Sequence, residues 1–185
     1  MSLEDLSAEE FVQTVDISLH FCSNLQSYNS QSSRIYQVER DGMLYVLKAV
    51  PHSWTWRFGH LKGERAVLQE MMNANGITHL VHDYGTIRDN EEKEFYEAIL
   101  KEYAEGDAVR NVDLTMKLRR RYAAQLTSIV KSFHSFGLSG LDLRADNVIA
   151  SPDRQRITLI DFYREDIASL TYQKQDLAAA RGLFL

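Results

Sequence analysis

Apolar positions along the chain switch between two periods, and the switches divide it into elements. Leu3, Leu6, Phe11 and Val12 share one side of a helical wheel whose other side is acidic, which predicts a short amphipathic helix over residues 2–13. Val15, Ile17, Leu19 and Phe21 then alternate with other residues, the period-two signature of a strand over 15–21. A polar loop from Ser23 to Ser33 leads to a second strand over 35–39. Asp41-Gly42 follows, and both residues tolerate the positive φ of a tight hairpin turn into a third strand over 43–50. Helical spacing returns over 60–72, with Leu61, Val67, Leu68, Met71 and Met72 as the apolar stripe and Gly76 beyond its end. Further strands are predicted over 78–86 and 95–103, separated by a charged turn over 88–94. Asp113 is a candidate N-cap for a long helix over 114–136, where Leu114, Leu118, Tyr122, Leu126, Ile129, Val130 and Phe133 recur at three and four. A final helix is expected to begin at Asp176.

Composition narrows the class. At 185 residues the chain suits one domain, or two small lobes sharing a cleft, and its 44% hydrophobic and 25% charged residues are ordinary for a protein with a packed core. A net charge of -5 argues against nucleic acid as the main partner. Cys22 is the sole cysteine, which excludes an intramolecular disulfide and points to a reducing compartment. No apolar run approaches a membrane span of about 18 residues, and the acidic start lacks the pattern of an ordinary signal peptide. Cytoplasmic residence is the expectation, with delivery by a specialised secretion system outside the reach of this argument.

The chemistry concentrates between Leu138 and Tyr163, LSGLDLRADNVIASPDRQRITLIDFY. Asp142 is followed five residues later by Asn147, and a short apolar pattern then delivers Asp161 directly after Leu159-Ile160. Upstream, Lys48 lies inside the apolar run Tyr45 to Val50, where an ammonium costs desolvation unless something negative meets it. Glu64, sixteen residues on and on the predicted helix, is the candidate partner, with Glu70 as the fallback and snorkelling of Lys48 to water as the alternative. His79 and His82 fall on opposite sides of a strand and are read as non-ligands. His134 is read as structural, and the basic run from Lys117 to Arg121 as a solvated helix face, with contact to an acidic substrate as the alternative.

The order of these motifs resembles the protein-kinase-like superfamily: D-L-x-x-x-N at 142–147, I-D-F at 160–162, the strand YVLKAV, and ILKEYAEG at 99–106. The resemblance covers nearly the whole chain, from Val15 to Phe184. It implies an α+β, minimal bilobal kinase-like fold, with a five-stranded antiparallel N-lobe sheet and one helix over 1–103 after the N-terminal helix. A hinge over 104–112 and a reduced, mainly helical C-lobe over 113–185 complete it. It further implies Mg²⁺ and ATP as cofactors. Lys48, held by Glu64, would contact the α and β phosphates, Asn147 and Asp161 would hold the metal, Asp142 would orient the accepting hydroxyl, and Arg144 would neutralise the transferring phosphoryl group. Ser30 and Ser33 occupy places of the glycine-rich phosphate loop, and the backbone around Glu102 and Ala104 is where adenine would bond.

Several departures mark a compact, atypical branch. Tyr28, Ser30 and Ser33 replace the loop glycines, Gly140 and Leu141 stand where His and Arg are usual, and Tyr163 replaces the glycine after Asp161-Phe162. Asp176 follows only fifteen positions after Asp161, which leaves no room for a peptide-docking segment. The closing phrase is similar to the lipopolysaccharide Kdo kinases and to the small kinase-like ATPase of the KEOPS complex, with minimal bacterial effector kinases as a third comparison. The acceptor is thus expected to be a hydroxyl of a protein, glycan or lipid. The rival expectations are a non-catalytic nucleotide- or partner-binding module and an ATPase subunit of a complex.

Overall fold

The structure, a computed structural model, describes residues 3–25, 33–53, 55–88, 95–162 and 170–184, without the side chains of residues 55–60. It divides into two compact units. The first comprises Met1–Arg65 and His79–Tyr103, the second Ala66–Thr78 and Ala104–Leu185.

The first unit opens on a 3₁₀ turn, Leu3–Asp5, and helix α1, Ala8–Val15. The sequence pattern predicts one helix here, but Ser7 divides it. Its hydroxyl accepts from the Glu10 amide while Glu10 reaches back to the Ser7 amide, a capping box that starts a new helix at Ala8. All four residues of the predicted apolar stripe are buried. The strand expected over 15–21 begins later. Val15 closes α1, and Asp16 accepts from the Ser18 amide in a local turn that competes with extension. Ile17 is consequently 87% exposed, and β1 runs His20–Asn24.

Strands β2, Arg34–Arg40, and β3, Met43–Pro51, form a hairpin whose turn residues Asp41 and Gly42 both have positive φ, 55° and 76°. Helix α2, Thr55–Glu70, starts earlier and ends earlier than its predicted span, so Met72 lies beyond it and is exposed. β4, Leu80–Arg88, and β5, Phe95–Glu102, complete an antiparallel sheet in the order β1-β2-β3-β5-β4. Residues 89–94 of the predicted charged turn lie outside the described residues, as do Tyr28 and Ser30.

Alternation along the strands gives this sheet two different faces. Tyr36, Val38, Leu47, Ala49, Tyr96, Ala98 and Leu100 join Phe11 and Val12 of α1 in one apolar cluster. Phe11 meets Tyr96 edge to face at 5.1 Å, and the Arg34 guanidinium stacks on Phe11 while donating to the Leu3, Glu4 and Leu6 carbonyls. The opposite face carries Lys48, Glu97 and Lys101, which strand periodicity places on one side.

The second unit contains a three-stranded antiparallel sheet of β6, Asp107–Ala108, β7, Val148–Ala150, and β8, Ile157–Leu159. The segment read as a hinge therefore contributes a strand here. Gly106, at φ 134°, permits it, because a side chain at that position would collide with the Ala150 carbonyl. Helix α3, Met116–Ser135, is capped by Thr115, which accepts from the Leu118 amide, rather than by Asp113. Tyr122, Leu126, Val130 and Phe133 form its buried stripe, with Phe133 against Phe162 at 5.1 Å and Tyr122 against Phe184 at 5.7 Å. Helix α4 runs Leu170–Gly182, placing Asp176 in its middle instead of at its start. Residues 163–169, including Tyr163, lie outside the described residues. Among the described residues no helix is long and apolar enough to cross a membrane.

Candidate functional site

In the first unit, Lys48 sits between the fully buried Leu47 and Ala49, and its ammonium is 2.7 Å from Glu64 Oε2. Glu64 exposes only 2% of its side chain, so this ion pair is largely desolvated. Glu70, the fallback partner, lies in the second unit. Glu64 has a further partner that sequence reasoning missed: Lys101 of β5 donates to Oε1. The signal was available, since Lys101 interrupts the apolar run of β5 as Lys48 interrupts that of β3.

The neighbouring residue fixes α2 from another direction. Arg65 donates to Glu97 at 2.7 Å and pairs with Asp83 at 3.1 Å, while the Thr86 hydroxyl donates to Glu97 at 2.5 Å. Burial pushes the Glu97 carboxyl up, but the Thr86 hydroxyl and the Arg65 guanidinium outweigh it and hold the group below the usual carboxylate range.

Ser33 is buried immediately before β2. Glu102 ends β5 with its amide donating to the His79 carbonyl at 3.0 Å, and its carboxylate accepts from the His79 amide at 3.0 Å and lies 2.7 Å from His79 Nδ1. The Glu102 N–H is thus engaged within the unit. Ala104 belongs to the second unit.

The second unit holds Asp142, Arg144 and Asn147 on a short loop between α3 and β7, and Asp161 just after β8. Asp142 Oδ2 lies 2.8 Å from Arg144 Nη2 and accepts from Asn147 Nδ2 at 3.1 Å, and the same Nδ2 donates to the Asp142 carbonyl at 3.0 Å. Backbone bonds from Arg144 to Asp142 and from Asn147 to Arg144 close the loop into successive turns. The Asn147 carbonyl accepts from the Ile160 amide at 2.9 Å, which fixes the loop to the residue before Asp161. Asp161 is partly buried, and Phe162 beside it is buried against Phe133.

Asp176 is a second residue that sequence reasoning missed. Only 4% exposed, it accepts from the Gly140 and Leu141 amides at 3.0 Å each and lies 3.0 Å from His134 Nε2. One carboxylate of α4 therefore anchors both the entry to the Asp142 loop and the end of α3. A carboxylate in the middle of QKQDLAAA, where helix propensity gives it no advantage, was the available signal. The basic run at the start of α3 is only partly solvated. Arg119 donates to the Leu114 and Phe184 carbonyls, and Arg121 to Gln155.

Hard oxygen donors are the ligand type that Mg²⁺ takes. Asn147 Nδ2 faces Asp142, which turns its Oδ1 the other way, and Asp161 carries a carboxylate. Among the described residues no group of three or more His, Cys, Asp or Glu side chains is arranged to hold a metal.

No family model matches the sequence, and no curated protein matches it either. The fold does match. The crystal structure of Rad53 residues 1–466 in complex with AMP-PNP superposes with a TM-score of 0.68 at 19% identity, covering 90% of this chain. This chain spans 46% of the Rad53 chain, about half its length. With its five-stranded antiparallel sheet and four described helices, the chain has a minimal protein-kinase-like α+β fold.

Proposed function

We propose that this chain is a Mg-ATP-dependent kinase that transfers the γ-phosphoryl group to a hydroxyl acceptor. The observation that carries the reading is the desolvated Lys48–Glu64 pair at 2.7 Å, because a buried ammonium positioned by a carboxylate is suited to a polyanion. The kinase fold and the nucleotide bound to Rad53 add support. Lys48 would meet the α and β phosphates. Asn147 and Asp161 would hold Mg²⁺, which supplies charge neutralisation on the phosphate oxygens when bound. Asp142 would accept a hydrogen bond from the acceptor hydroxyl. The hydroxyl oxygen then forms a bond to the γ-phosphorus as the bond to the bridging oxygen breaks, ADP leaves, and the hydroxyl proton passes to Asp142. Arg144, already paired with Asp142, would lie beside the charge that develops on the transferring group.

The acceptor would be a protein Ser or Thr, or a sugar or lipid hydroxyl, as in the compact branches the motifs resemble, in a cytoplasmic setting. A second reading, a non-catalytic nucleotide- or partner-binding module, is favoured by one observation: Asp142 Oδ2 is engaged by both Arg144 and Asn147. An ATPase subunit would hydrolyse ATP without an acceptor. Incubation with γ-labelled ATP and Mg²⁺, with and without cell extract, separates the three. Label on a protein or glycolipid that disappears in Asp142→Ala and Asp161→Asn is the expected result. Free phosphate alone selects the ATPase, no ATP consumption selects the binding module, and retained Mg²⁺-dependent turnover in Asp161→Asn overturns the metal assignment.

A further inference from the structure

The first unit buries one carboxylate between two ammonium groups, where the phosphoryl-transfer reading requires only one. In the register of β3 with β5, Lys48 lies opposite Ile99 and Val46 opposite Lys101. The two lysines therefore stand on adjacent strands, on the same face of the sheet, one side-chain step apart along it. Lys48 takes Glu64 Oε2 and Lys101 takes Oε1, and the Lys101 side chain is 5% exposed. A carboxylate facing a single ammonium can share both oxygens with it and can turn to do so. A carboxylate with one oxygen already occupied offers a single direction of approach.

We propose that Lys101 is a positioning residue for the nucleotide. By occupying Oε1 it fixes the rotamer of Glu64 and holds the Lys48 ammonium on Oε2, so that Lys48 meets phosphate oxygens from a constant position. The inference rests on the kinase reading, since it takes phosphate as what Lys48 meets. It assigns to the β5 lysine a task that the resemblance gives to no residue at that position.

The test is equilibrium titration of Mg-ATP, without an acceptor, into the wild type, Lys101→Met, Lys101→Arg, Glu64→Gln and the double variant Glu64→Gln/Lys101→Met, with thermal midpoints taken on the same samples. Lys101→Met is expected to weaken Mg-ATP binding about tenfold, the scale of one charge-assisted hydrogen bond. Lys101→Arg, which keeps a donor for Oε1, is expected to stay within about threefold of the wild type. In the Glu64→Gln background the loss of Lys101 should cost no further affinity, because the effect passes through Glu64. An equal loss in both backgrounds overturns the proposal, and so does a lower midpoint with unchanged affinity. If Lys101→Met does not fold, Lys101→Gln takes its place, and unchanged affinity there overturns the proposal. A wild type that binds no Mg-ATP removes the kinase reading and the inference together. A wild type that binds normally beside an unaffected Lys101→Met removes the inference alone.

Discussion

The chain places two carboxylate clusters in opposite surroundings. Glu64 lies with Lys48 and Lys101 inside the first unit, its side chain 2% exposed. Asp142 lies with Arg144 on a loop of the second unit, where the two side chains are 35% and 64% exposed. The Coulomb attraction between the partners is similar in kind, but the medium decides its consequence. Removing one member of a buried cluster leaves an ion that water does not reach, whereas an exposed pair that is broken finds water at once. The first cluster is accordingly suited to hold a geometry that must not change. The second is suited to exchange partners, as the proposed contact of Asp142 with an acceptor hydroxyl would require.

The sharpest way to break this comparison is Glu64→Gln. The substitution exchanges the buried carboxylate that both ammonium groups share for a neutral amide, and the expected loss of stability is about 3–5 kcal/mol. At ~2–4 °C per kcal/mol for a chain of this size, the thermal midpoint should fall by roughly 10 °C. A fall of less than about 2 °C would mean that solvent reaches the lysines, and the contrast between the clusters would collapse.

An intermediate effect is expected from Asp176, which belongs to the second unit yet is as buried as Glu64. Its carboxylate receives the Gly140 and Leu141 amides and faces His134, so Asp176→Asn exchanges charge-assisted bonds for weaker neutral ones and places a donor where an acceptor is needed. We expect a cost of about 2–3 kcal/mol, local to the loop. Hydrogen exchange should report it, with the Gly140 and Leu141 amides losing at least roughly thirtyfold in protection. Unchanged protection would show that the loop holds its own shape through its internal turns, and that the buried anchor contributes nothing to the exposed cluster.

What could be read in advance follows the range of the interactions. The Asp41-Gly42 hairpin was legible because the turn chemistry is local. Lys48 and Glu64 were legible as a pair because their separation resembles that of the kinase-like pair, and the Asp142–Asn147 loop because the motif it resembles lies within six residues. Lys101 and Asp176 were not paired with anything, because their partners are 37 and 36 residues away and no local rule encodes such contacts. Local competition misled the reading elsewhere. Val15 and Ile17 satisfy a period of two, but Asp16 turns the chain between them, so one ends a helix and the other points to solvent. Asp113 is an adequate cap by type, yet Thr115 stands at the position from which a side-chain oxygen reaches the Leu118 amide.

The smallest effect on stability is expected at Arg144, where the proposed chemistry would be most sensitive. Arg144 pairs with Asp142 at 2.8 Å but is more than half exposed, so Arg144→Gln should cost no more than about 1 kcal/mol and move the thermal midpoint by less than about 3 °C. Turnover should respond differently. If Arg144 faces charge that grows during transfer, its contact strengthens in the transition state, and its loss should lower kcat by roughly ten- to a hundredfold while leaving the KM for ATP near its wild-type value. Raising the salt concentration should weaken the Arg144 contribution and leave Glu64 almost unaffected, because mobile ions screen exposed charges far more than buried ones. A midpoint that falls as far for Arg144→Gln as for Glu64→Gln would remove the distinction between a cluster that holds shape and a cluster that works. A KM that rises with kcat unchanged would instead make Arg144 a ground-state binding group, and the developing charge would need another neutralising partner.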